Sequence, residues 1–148
     1  MSSVLRINGD FFDVDSFLNE TGLIAYKQYK KGDDIGFKKN GKEKYETNGC
    51  LIDLSIADFD NFGKQKADTI SFLTTHFDKL KKVWSFGLGP EDIPVIDFAV
   101  ESDALTYPVQ KDYIQPELLK LVGDLSFGLK ITHYDKSYFN DLHDKNEK

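Results

Sequence analysis

The sequence predicts an α+β domain in which helices cover one face of a largely antiparallel sheet. Three observations lead there. Several short runs place apolar residues at every second position, as half-buried strands do. Other runs space them by three and four, as amphipathic helices do, and the two kinds of run are interleaved along the chain.

The first strand is read at Val4 to Asn8, where Leu5 and Ile7 alternate with Val4, Arg6 and Asn8 before Gly9. A short helix follows. Asp13 is its N-cap, Asp15 lies in the first turn where the helix dipole favours an anion, Phe12 and Phe17 occupy the staple positions, and Gly22 ends it. Tyr26 to Tyr45 is polar and carries Asn40-Gly41, a two-residue turn that tolerates positive φ, so a lysine-rich hairpin is expected. From Cys50 to Ala57, residues Cys50, Ile52, Leu54 and Ile56 share one face of a strand near the sheet centre, with Asp58 and Asp60 beyond its end. Ala67, Ile70, Leu73, Phe77, Leu80 and Trp84 form the stripe of one long helix that stops before Gly87-Leu88-Gly89-Pro90. Val95 to Glu101 is a further strand. Thr106 to Tyr113 is read as an edge strand because Pro108 lacks an N–H. A helix begins at Pro116 and ends at Gly123, and Leu129 to Tyr134 closes the sheet. The order β-α-β-β-α-β-β-α-β opens with a ferredoxin-like core, whose strand order 4-1-3-2 makes the first and fourth strands neighbours.

Size and composition agree with one domain. The 148 residues are 40% apolar and 30% charged, and a chain of this length buries roughly 70% of its unfolded surface without staples. No Pro/Gly/Ser linker or repeat divides it, so residues 1–136 are read as the domain and 137–148 as a polar tail. Cys50 is the single cysteine, which precludes an intrachain disulfide. The first ten residues lack the basic start and apolar run of an export signal, and no segment approaches the roughly 20 apolar residues of a membrane helix. The cytoplasm is the expected compartment.

Charge narrows the partner. Lys and Arg total 19 against 25 Asp and Glu, a net charge of -6 that disfavours phosphate backbones and anionic membranes and favours basic proteins. Seven lysines and three acidic residues leave Lys27 to Lys44 at +4 and everything else at −10. All basic residues but Arg6 are lysine, whereas the guanidinium fork is what reads phosphate and guanine bidentately. Neither nucleic acid nor membrane is expected as a ligand.

The motifs that could carry chemistry break at their critical positions. Gly36 to Lys42 has the glycine and lysine spacing of a phosphate-binding loop, but Glu43 stands where Ser or Thr would hold magnesium. Gly87 and Gly89 are followed by Asp92 where a dinucleotide fingerprint needs its third small residue. Asp13 and Asp15 open like a calcium loop, but Leu18 occupies the glycine position and N-capping accounts for both. His76, His133 and His143 are not at metal-ligand spacing, no G-x-S-x-G elbow is present, and Cys50 sits mid-strand. No catalytic residue, cofactor site or metal site is assigned.

Asp10, Asp13 and Asp15 leave the first strand at the end where Glu91 and Asp92 lead into its neighbour, if the first and fourth strands pair. Those five carboxylates are the expected partner-binding rim, which would capture a basic protein by electrostatic steering. The competing reading is that loops of an acidic protein are simply acidic.

The chain also resembles the domain-of-unknown-function family numbered 4279. The likeness rests on Ile7-Asn8-Gly9-Asp10-Phe11-Phe12-Asp13, on Gly22-Leu23 and Lys31-Gly32-Asp33, on Tyr45-Glu46-Thr47 before the apolar strand, and on Gln115-Pro116-Glu117-Leu118-Leu119-Lys120-Leu121. It spans most of residues 4 to 134 and carries over no catalytic residue. It implies a small acidic binding protein similar to the immunity or antitoxin proteins that neutralise a toxin domain. The alternatives are a small-molecule or peptide-binding domain whose aromatic residues, 14% of the chain, line a cleft, and an enzyme using carboxylates as acid and base.

Overall fold

The computed structural model describes residues 1–36 and 43–138. Among them, alternation resolves into five strands: β1 (Ser3–Gly9), β2 (Lys27–Tyr29), β3 (Asn48–Ser55), β4 (Val95–Ser102) and β5 (Gly128–Asp135). The helices are α1 (Val14–Thr21), α2 (Phe62–Thr75), α3 (Phe77–Lys81), which runs into a 3-10 turn at Lys82–Ser85, and α4 (Pro116–Leu125).

The strands make one sheet in the order β2-β3-β1-β4-β5. The β2/β3, β3/β1 and β1/β4 pairs are antiparallel; only β4 and β5 run parallel, joined through α4. The first four strands thus take the expected 4-1-3-2 order. Leu5, Ile7, Cys50, Ile52, Leu54, Ile96, Phe98 and Val100 point to one face and are buried there with Leu73, Leu80 and Leu118 from the helices. Burying each such side chain stabilises the fold by about 1.5–3 kcal/mol. α2 packs on β3, β4 and α4, so the helices share that face. The opposite face carries a polar cluster: the Asp97 carboxylate accepts from Arg6 Nε at 3.2 Å and Thr132 Oγ1 at 2.8 Å, with Lys130 Nζ at 3.7 Å.

Three expectations are corrected. Thr106 to Tyr113 is not a strand: β5 takes the place beside β4, and the segment reaches β5 through side chains, Gln110 Nε2 and Asp112 Oδ2 meeting the His133 ring nitrogens at 3.0 Å each. The long helix is broken at His76, where φ −109° and ψ 17° end α2 before α3 starts. Thr74 and Thr75, poor helix formers, precede the break. Leu73 and Leu80 of the expected stripe are buried, but Ala67 is exposed and Gln65 and Thr69 face inward beside Leu73. Buried Gln65 donates to the Asp58 and Ala99 carbonyls at 3.1 and 2.9 Å, and Thr69 pairs with Ser3 at 2.9 Å, so polar residues sit where an apolar stripe is expected. Finally, α4 runs past Gly123 to Leu125, and Ser126 adopts the left-handed cap at φ 59°.

The Asn40-Gly41 turn, the centre of the phosphate-loop motif at 37–42 and the tail from 139 onward, His143 included, lie outside the described residues.

Candidate partner-binding surface

The surface is built where β1 enters α1. The Asp13 carboxylate accepts from the Ser16 N–H at 3.1 Å and its hydroxyl at 2.8 Å, closing the N-terminus of α1 as its sequence position predicts. Those hydrogen bonds, the Ser16 backbone first, hold the Asp13 carboxyl below its ordinary range. Phe12 and Phe17 meet at 5.7 Å and Phe86 closes on Phe17 at 5.5 Å, which anchors the turn to the core. Phe11 faces the other way and is 84% exposed.

Two glycines press a second turn against this one. Gly87, at φ +92°, has no room for a Cβ because the Phe11 carbonyl oxygen occupies that space. At Gly9 a Cβ would stand 2.7 Å from Asp92 Oδ2. The Asp13 N–H donates to the Phe86 carbonyl at 2.8 Å, and Asp92 Oδ2 accepts from the Gly89 N–H at 2.8 Å. Asp92, with exposed Glu91 beside it, therefore reaches the same end of the sheet as Asp10, Asp13 and Asp15.

The rim is gathered but partly occupied. Lys30 Nζ lies 2.7 Å from Asp15 Oδ2 and Lys31 Nζ 3.8 Å from Asp10 Oδ1. All four side chains are more than half exposed, so solvent screening leaves each pair weak. Hydrogen bonding to Asp15 raises the Lys30 pKa. Asn48 organises the junction, accepting from the Lys31 N–H at 2.9 Å and donating to the Phe12 carbonyl at 3.2 Å. Of the five carboxylates, Asp13 and Asp92 serve the local backbone, Asp10 and Asp15 hold lysines, and Glu91 makes no ion pair among the described residues. An open hollow of about 1040 Å³ lined by Asp10, Lys31, Ile35, Lys44 and Glu46 adjoins it.

Asn48 and the lysine contacts were not legible in the sequence, since each joins residues 15 or more positions apart. Elsewhere Cys50 is buried, and burial pushes its thiol up to about 12, which leaves no reactive thiolate. Asp53, its pKa raised by burial, lines a hollow of about 370 Å³ with Tyr26, Phe72 and His76. Among the described residues, no group of three or more His, Cys, Asp or Glu could hold a metal ion, and no helix is long and apolar enough to cross a membrane.

Compared with protein-family models, curated proteins and solved structures, the chain matches none.

Proposed function

We propose that this chain is a non-catalytic cytoplasmic binding protein of the immunity or antitoxin kind, which occludes a basic toxin domain through its acidic rim. The observation that carries the reading is the rim itself, which already binds two ammonium groups, those of Lys30 and Lys31. A partner's lysines or arginines exchange for these at little cost, because exposed pairs are weak. The net charge of -6 supplies the long-range attraction.

The test is capture of the product of the neighbouring reading frame, followed by association kinetics. Asp10→Asn, Asp15→Asn and Glu91→Gln are combined, leaving Asp13 and Asp92 to their backbone roles. The association rate is expected to fall roughly tenfold at low salt and to converge with the parent at high salt. An unchanged rate removes the rim from the account, and a neighbouring product that fails to bind removes the toxin.

The alternative, a small-molecule or peptide-binding domain, has one observation in its favour: the hollow where Asp53 meets Tyr26, Phe72 and His76. Thermal-shift hits abolished by Phe72→Ser would favour it over the first reading.

A further inference from the structure

Three strands end on the side of the molecule opposite the rim. β3 and β4 both oppose β1, and β5 follows β4, so their C-terminal ends lie together. The contacts there bear this out: the Glu101 N–H donates to the Phe59 carbonyl at 2.8 Å, and the Phe59 ring stacks on Tyr134 at 6.0 Å. The segment leaving β4 presents apolar side chains to water, Leu105 at 95%, Tyr107 at 68% and Val109 at 70% exposure, and Ile56 just beyond β3 is 80% exposed. Isolated exposed apolar residues are ordinary; several gathered on one end mark an interaction surface.

The segment is held in place. Asp103 Oδ1 accepts from the Thr106 N–H at 3.0 Å, the Tyr107 N–H donates to the Asp103 carbonyl at 2.8 Å, and Asp112 meets His133. Farther on, Lys66 Nζ donates to the Tyr113 carbonyl at 2.5 Å. Its exposed apolar residues are thus presented on a backbone tied at both ends, which lowers the ordering cost of binding.

Charge identifies the occupant. Asp58, Asp60, Glu101, Asp103 and Asp135 lie at the same end of the sheet, and among the described residues none of them makes an ion pair with Lys or Arg. Lys64 and Lys66, four and six residues beyond Asp60, are engaged elsewhere, Lys64 with Asp68 at 2.9 Å and Lys66 with the Tyr113 carbonyl. Hydrogen bonds from Ser137 hold the Asp135 carboxyl below its ordinary range, so it stays charged. At the rim, by contrast, the chain's own lysines screen the carboxylates.

We infer that Leu105, Tyr107 and Val109 form a second docking surface, taking an apolar patch ringed by lysine or arginine on a basic protein. The inference rests on the basic-partner reading above and adds where that partner is held: the rim steers, and the apolar end supplies the buried contact that slows dissociation.

The test is an NMR titration of the full chain with two peptides, an amphipathic helix of leucine and lysine and an oligolysine of equal charge. The leucine–lysine peptide is expected to shift the backbone amides of 101–112 and 134–137. Its affinity should fall at least roughly tenfold when Leu105, Tyr107 and Val109 are replaced by Ser, while oligolysine binding is unchanged and reports that the variant is folded. If that peptide shifts only residues 10–15, the second surface is refuted and the basic-partner reading stands. If neither peptide binds anywhere, both fall. Should sedimentation show that the chain self-associates and that the triple variant does not, the occupant is a second copy and the inference is overturned.

Discussion

At the scale of single residues, two positions translate directly into stability. Gly87 combines positive φ with a Cβ position already filled by the Phe11 carbonyl, so Gly87→Ala must move the backbone of one of the two turns that build the rim. We expect a loss of roughly 2–4 kcal/mol in urea unfolding. Asp53 gives a pH signature. Burial raises its carboxyl pKa, and its Oδ1 is buried without a hydrogen-bond partner. The folded state therefore holds that proton more tightly than the unfolded chain. The resulting stability is fully present below about pH 4 and is lost as pH rises through the folded value. Asp53→Asn is expected to unfold at higher urea than the parent at pH 7, with the gap closing by pH 3. A gap of equal size at both pH values would mean that the charge is not what matters. Asp13, Asp68 and Asp135 work in the other sense: hydrogen bonds lower their pKa values, so what they contribute is present above about pH 4 and is lost on acidification.

At the scale of elements, helix punctuation was readable where it is local. Asp13 caps α1, Gly22 ends it at φ +67°, and Pro116 opens α4 as the sequence indicates. The far end of α4 was not, because Gly123 lies within the helix and Ser126 carries the left-handed conformation. A side chain in that conformation costs about 1–2 kcal/mol, which glycine avoids. Ser126→Gly is thus expected to stabilise the domain by about 1 kcal/mol in thermal or urea unfolding; a loss would mean that the serine side chain does more than tolerate its backbone. The inward face of α2 joins the expected Leu73 to two polar residues that the stripe omits. Gln65 and Thr69 are buried because they satisfy the Asp58 and Ala99 carbonyls and the Ser3 hydroxyl, partners that no helical periodicity reveals.

At the scale of the molecule, the antiparallel core and its strand order followed from the order of elements, since a split β-α-β unit leaves few ways to pair four strands. The fifth strand shows where that reasoning stops. Leu105, Tyr107 and Val109 alternate as a strand does, yet the only vacancy beside β4 is filled by β5, which arrives parallel through α4. The displaced segment turns at 104–106 and makes no ladder, and this is what leaves its apolar side chains in water.

Within the sequence alone lay the periodicities, the caps, the excess of negative charge and the meeting of Asp10, Asp13 and Asp15 with Glu91 and Asp92, because these depend on neighbours a few residues apart or on one strand pairing. The tertiary structure alone decided which carboxylates are free. Lys30 and Lys31 fold back onto the rim and Lys64 pairs with Asp68 beside the end of β3, while Asp58, Asp60, Glu101, Asp103 and Asp135 meet no lysine or arginine among the described residues. Ion pairing is set by distances of a few ångströms in space, and residues far apart in the chain acquire those distances only when the sheet assembles.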